Sequence, residues 1–180
     1  MRLDGLDHVP PGPRVAAGFR LRRARPADEA ELARVLAAAF EDPEWSPQVV
    51  HNRLTGEDTV KAVYVAARGT IIGATASARY LPDRYPGLGY LHWVATHPDY
   101  QGRGLGRMVI LAVLHHFRES GCTGAVLETD DHRLPAIRLY LSLGFLPQMV
   151  APDHPERWRA VFQALGTLPP EPVTPRHYGA

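Results

Sequence analysis

Apolar residues recur along this chain with periods near two and near ~3.6, and the order in which those periods alternate sets the expected architecture. Alternation in "FRLRRARP", with Phe19 and Leu21 set against polar neighbours, predicts an edge strand. Pro26 with Asp28 and Glu29 marks a helix start, after which Leu32, Val35, Leu36, Ala39 and Phe40 follow at helical spacing. Two prolines in "EDPEWSPQ" end that helix, and "VVHNRLTG" predicts a short second one closing at Gly56. "VKAVYVAA" and "TIIGATASARYL" read as strands joined tightly through Arg68 and Gly69. Beyond the Pro- and Gly-rich stretch 82–89, "YLHWVAT" reads as a strand. "GLGRMVILAVLHHFRESG" reads as a helix apolar on most sides, the pattern of one buried between layers. "GAVLET" predicts a strand, "LPAIRLYLSLG" a helix with Pro135 in its first turn and Gly144 past its end, "FLPQMV" a last strand and "HPERWRAVFQAL" one more helix.

Hairpin strands followed by strand, helix, strand, helix, strand imply an α/β fold. Its form is a single domain with a mixed, mostly antiparallel sheet flanked by helices on both faces. Seven of the seventeen prolines fall in residues 1–13 and 167–180, where periodicity is also absent, so 1–17 and 167–180 read as mobile tails around a folded body at 18–166. At 180 residues, 45% hydrophobic and 22% charged, the chain supports one sizeable core and is neither disordered nor fibrous. Twenty basic residues against nineteen acidic leave a formal charge of +1, no field for gripping nucleic acid or an anionic membrane. Cys122 is the single cysteine, so no internal disulfide forms. "MRLDGLDHVP" carries two aspartates where a signal peptide needs an apolar run, and no apolar stretch approaches the ~20 residues of a membrane span. The expected location is the cytoplasm.

The most specific signal is "HPDYQGRGLGRMV", with Gly102, Gly104 and Gly106 between a strand and a long helix. Glycines at alternate positions let backbone approach a ligand, and the helix start aims unpaired N–H groups at it, which makes an anion cradle. Arg103 and Arg107 add guanidinium groups suited to forked phosphate contacts. A dinucleotide fingerprint fails, because the sixth position from Gly102 is Arg107 and a hairpin precedes it where a βαβ unit is required. No Gly-Lys-Ser/Thr triphosphate loop occurs.

Here the chain resembles the GCN5-related N-acetyltransferase (GNAT) family over nearly the whole body. The family signature of a strand, Gln or Arg, two variable residues, Gly, a variable residue and Gly or Ala stands as Gln101, Gly102, Arg103, Gly104, Leu105, Gly106. A second block stands as "LETDDHRLPAIRLYLSLGF", with Ala136, Leu139, Tyr140, Gly144 and Phe145 in register; Arg133 occupies the place of the family's usual asparagine. The resemblance implies the GNAT fold and acetyl-CoA as acyl donor. It also implies that Val94, Ala95 and Thr96 bind the pantetheine arm through backbone groups and that residues 101–107 hold the pyrophosphate.

Acyl transfer to an amine needs a neutral amine, a stabilised oxyanion and a proton for the thiolate. An alkyl amine of pKa ~10.4 costs roughly 4.6 kcal/mol to deprotonate at pH 7, so a base is worth finding. "GYLHWVAT" holds no carboxylate, but alternation puts Tyr90 and His92 on one face, and His92 has a suitable pKa; it reads equally as a polar residue satisfied within the sheet. Tyr140 falls in the family's register for the general acid that protonates or hydrogen-bonds the thiolate, and reads alternatively as core. A strand N–H near Val94 would meet the oxyanion. "EDPEW" offers acid and indole to a cationic amine, or is a solvated charge run. Glu128, Asp130 and Asp131 lie in an extended stretch that turns them apart, so no metal is expected. The expected activity is acetyl transfer from acetyl-CoA to a small-molecule primary amine by direct attack in a ternary complex, with room for a homodimer. The alternatives are a silent acyl-CoA sensor, a protein N-terminus or lysine acetyltransferase, and a partner-binding module.

Overall fold

The computed structural model describes residues 1–12 and 18–168. Its strands are β1 (Arg2–Asp4), β2 (Arg20–Arg23), β3 (Val60–Arg68), β4 (Ile71–Arg79), β5 (Leu88–Thr96) and β6 (Gly124–Val126). Its helices are α1 (Glu29–Phe40), α2 (Pro47–Val50), α3 (Leu105–Glu119), α4 (Leu134–Ser142) and α5 (His154–Leu165). The chain divides into two compact units, Gly5–Ala125 and Met1–Asp4 with Val126–Ala180.

In the larger unit the strands run β6-β5-β4-β3-β2, and the pairings β2 with β3, β3 with β4 and β4 with β5 are antiparallel. The expected hairpin forms, turned through Gly69 at φ 62°. Alternation along β3 separates two faces: Val63, Val65 and Ala67 join Leu32, Val35 and Leu36 of α1 in one core, while Tyr64 meets His116 of α3 ring to ring at 6.0 Å. Helices thus cover both faces of this sheet, as the pattern predicts. α3 lies so close that a Cβ on Gly89 would stand 2.3 Å from the Phe117 ring. Asp28 seats the start of α1 by accepting both Arg22 guanidinium nitrogens, at 2.6 and 2.8 Å, and the Arg25 N–H at 2.7 Å.

In the smaller unit α4 and α5 share a core of Ile137, Val161, Phe162 and Leu165. Two expectations are corrected here. Residues 2–4, read as part of a mobile tail, form β1: Arg2 and Leu146 exchange backbone hydrogen bonds of 2.9 and 2.7 Å, and the Leu127 N–H donates to Met1 O at 3.0 Å. "FLPQMV" forms no strand beyond that bridge at Leu146, because Pro147 has no N–H to extend a ladder. "GAVLET" is a strand only over Gly124–Val126, and Leu127 adds the hydrogen bond to Met1. The tail expectations for 13–17 and 169–180 lie outside the described residues. No described helix is long and apolar enough to cross a membrane.

Candidate functional site

The β4–β5 pair breaks register where a site is expected. Thr75 pairs with Ala95 and Ser77 with His92, so Trp93 and Val94 together face Ala76 in a bulge. Trp93 takes φ 44°, and the buried Ser77 hydroxyl donates to His92 O at 2.8 Å. The bulge leaves one residue of β5 without a ladder partner on β4. Ala95 is buried in the α1-side core, whereas Val94 and Thr96 are half-buried.

After β5 the chain makes a short 3₁₀ turn over Pro98–Tyr100 and enters the glycine loop. Gly102 and Gly104 adopt φ 72° and 74°, and a Cβ on either would meet no atom within 4 Å. Gly104 is the N-cap of α3, with no side chain capping the helix. The first N–H groups of α3 therefore open onto free space, as a phosphate-sized anion requires. Leu105 is fully buried beside Gly73, so its side chain is part of the core and only its backbone N–H is placed at the helix start. Gln101 and Arg103 are exposed; Arg103 donates to Asp99 O at 3.1 Å and lies over the Tyr100 ring. Gly106 and Arg107 are half-buried in the first turn of α3. All ten residues expected to hold the donor thus lie on one continuous strand-loop-helix segment.

Tyr90 and His92 share a face as alternation requires, ring centroids 5.4 Å apart. Burial and the neighbouring Arg79 guanidinium push His92 down to about 4, with Glu57 opposing. Arg79 Nη1 faces His92 Nε2 at 3.5 Å, while Arg79 Nε donates to Thr59 Oγ1 at 2.8 Å and Thr59 Oγ1 in turn donates to Glu57 at 2.8 Å. Arginine cannot accept, so the contact favours the tautomer with the lone pair on Nε2 and the proton on Nδ1. That Nδ1 is buried and has no partner among the described residues.

In the smaller unit Tyr140 is 5% exposed and sets its ring edge-on to Phe145 at 6.0 Å. Burial pushes its hydroxyl up to about 12, against the opposing pull of Arg133. Among the described residues no group of three His, Cys, Asp or Glu side chains could hold a metal; Asp130 pairs with Arg133 and Asp131 with Arg157.

"EDPEW" does not offer its indole to a ligand, because a cation of the chain already covers it. Trp45 is buried and Arg53 covers its ring at 5.5 Å; Glu41 and Glu44 are exposed. Sequence reasoning missed Trp93 and Arg79, since a bulge and a diagonal contact across strands follow from register, which residue types do not show.

The acetyltransferase (GNAT) family model matches residues 29–145. A mycothiol acetyltransferase of Nocardia farcinica is 37% identical over 146 residues, covering 76% of this chain and 48% of that protein. One from Actinosynnema mirum is 31% identical over 170 residues, covering 89% and 51%. The chain spans about half the length of the curated relatives it matches. Among solved structures, an aminoglycoside acetyltransferase from an uncultured soil metagenomic sample, in complex with sisomicin, superposes with a TM-score of 0.62 at 20% identity, covering 74% of this chain and 93% of that one. The ribosomal-protein-S18-alanine N-acetyltransferase of Escherichia coli gives 0.61 at 21% identity, covering 73% and 79%. At these identities the structures share the fold.

Proposed function

This chain belongs to the acetyltransferase (GNAT) family, and on that premise we propose that it moves the acetyl group of acetyl-CoA to a small-molecule primary amine, by direct attack with both substrates bound. The observation that carries the reading is the uncapped start of α3 behind two left-handed glycines with open space above them. That cradle fits a pyrophosphate, held by the N–H groups of residues 102–107 with the Arg103 and Arg107 guanidinium groups beside it. The backbone of Val94 and Thr96 on β5 would take the pantetheine arm, and Ala95 fixes that strand in the core. Residues 18–166 would carry the activity, acting in the cytoplasm. The relatives' name, mycothiol acetyltransferase, supports a low-molecular-weight acceptor.

Acetyl-CoA supplies a thioester carbonyl. The amine nitrogen attacks its carbon, the C–S bond breaks, and CoA thiolate leaves. The bulge N–H donates to the carbonyl oxygen as negative charge builds there. His92, with Nε2 facing Arg79 and Nδ1 buried, would shape the acceptor side of β5 without touching substrate; a group near 4 is too weak a base for an amine of pKa ~10.4. This revises the base role expected from its residue type. The amine enters as its neutral fraction. Tyr140, raised to about 12, cannot yield its proton outright to a thiolate of pKa ~8.5, since the transfer would be uphill by about 4–5 kcal/mol. It would serve by hydrogen-bonding the departing sulfur, and the proton shed by the attacking nitrogen completes the thiol.

The test is a screen of small amines, an N-terminal peptide and a lysine peptide with acetyl-CoA, read by free thiol and by acetylated product. Product from small amines is expected. Acetyl-CoA binding without product from any of them would leave a sensor, and product from peptides alone would move the acceptor class.

A further inference from the structure

Resting on the acetyl-transfer reading above, we propose that Trp93 is a positioning residue of that reaction: Phe40 and Trp45 clamp its indole, and the clamp holds the β5 bulge whose N–H meets the acyl oxygen.

Only Glu41 and Trp93 among the described non-glycine residues have positive φ, at 54° and 44°. Glu41 ends α1, where a left-handed residue is ordinary. Trp93 stands inside a strand, and a bulky residue is seldom left-handed, because its Cβ crowds the backbone. Glycine is the residue that makes such a bulge without cost. A conformation of this kind lasts only where its surroundings over-determine it.

Those surroundings are aromatic. The Trp93 ring meets Trp45 edge-on at 4.7 Å and 86°, Phe40 at 5.3 Å and 79°, and His92 at 5.1 Å. Phe40 and Trp45 stack on each other at 6.4 Å, and Trp45 is buried under the Arg53 guanidinium. The clamp is thus rooted in the end of α1 and the connection into α2. Glycine at 93 would give the bulge without that tie. Tryptophan makes the aim of the bulge N–H depend on rings 48 and 53 residues earlier in the chain, at Trp45 and Phe40. The pyrophosphate cradle at the glycine loop involves none of these rings, so most donor contacts stand apart from the clamp, which acts chiefly on the chemical step.

The experiment binds acetyl-CoA labelled with ¹³C at the carbonyl and follows that carbonyl by isotope-edited infrared, beside Kd for acetyl-CoA and kcat with an accepted amine. In the wild type the bound carbonyl stretch falls below its value in water. Trp93→Ala is expected to lose that shift and about ten- to a hundredfold in kcat, with Kd within about threefold. Trp93→Phe, which refills the clamp, keeps the shift. Phe40→Leu weakens it in a folded protein and adds little to Trp93→Ala, because both act through one contact. A carbonyl shift and kcat unchanged in Trp93→Ala overturn the proposal. Should that variant not fold, an unchanged shift in Phe40→Leu overturns it equally. Wild-type protein that binds no acetyl-CoA would instead defeat the donor reading itself, and the clamp with it.

Discussion

Arg79 and His92 face each other diagonally across the β4–β5 pair, Nη1 to Nε2 at 3.5 Å, and this contact favours the tautomer with the proton on Nδ1. It also helps to hold the ring neutral far below the usual histidine range, after the larger effect of burial. The folded value of about 4 lies below the reference 6.5. The folded state therefore takes up this proton less readily than the unfolded chain. Stability is full above 6.5 and is lost as pH falls through about 4. With the ring only half-buried, the loss is about 2 kcal/mol. Melting curves between those pH values should show it, and His92→Asn should flatten the dependence.

A positioning role separates two substitutions at the same position. His92→Asn keeps a polar side chain of similar reach and should retain most of kcat/KM, whereas His92→Ala leaves a void beside Tyr90 and Trp93 and should lose about tenfold. Because His92 is held at about 4, kcat/KM should climb steadily with pH, following the free amine. An inflection near 6.5 that disappears in both variants would restore His92 as the base.

Tyr140→Phe keeps ring packing against Phe145 and removes only the hydroxyl. Acetyl-CoA affinity and Tm should hold, while kcat and kcat/KM fall together by ~100-fold or more, since the contact strengthens only as charge develops on sulfur. Lower Tm with normal turnover would show that Tyr140 is simply core.

Gly104→Val places a branched side chain in the open space at the start of α3, at φ 74°. The strain costs about 1–3 kcal/mol, and acetyl-CoA affinity should drop by far more than tenfold. In the wild type, acetyl-CoA at 100 times its Kd should stabilise the fold by about 2.7 kcal/mol, visible as a rise in Tm that the variant lacks.

Gly89→Ala tests packing alone. The added Cβ would lie 2.3 Å from the Phe117 ring, so β5 or α3 must shift, at a cost of about 1–3 kcal/mol in a denaturation curve.

Periodicity and punctuation in the sequence determined most of the elements. Amphipathic spacing over residues 32–40 and the apolar run from Leu105 carry the information for α1 and α3 locally, and Gly69 and Gly144 take the positive φ that their turns need. The glycine loop was legible for the same reason: Gly102 and Gly104 take the positive φ that its turn into α3 needs, and glycine does so without strain. Tertiary structure alone decided three things. Leu3 gains its strand only by pairing with a segment more than a hundred residues away, a contact no local pattern encodes. Trp93 reads as an ordinary strand residue until register places a bulge beneath it and Phe40 and Trp45 around it. His92 reads as a base until burial and Arg79 lower its proton affinity. Periodicity is written in neighbouring residues, whereas register, desolvation and proton affinity are properties of the surroundings, which exist only once distant segments have packed together.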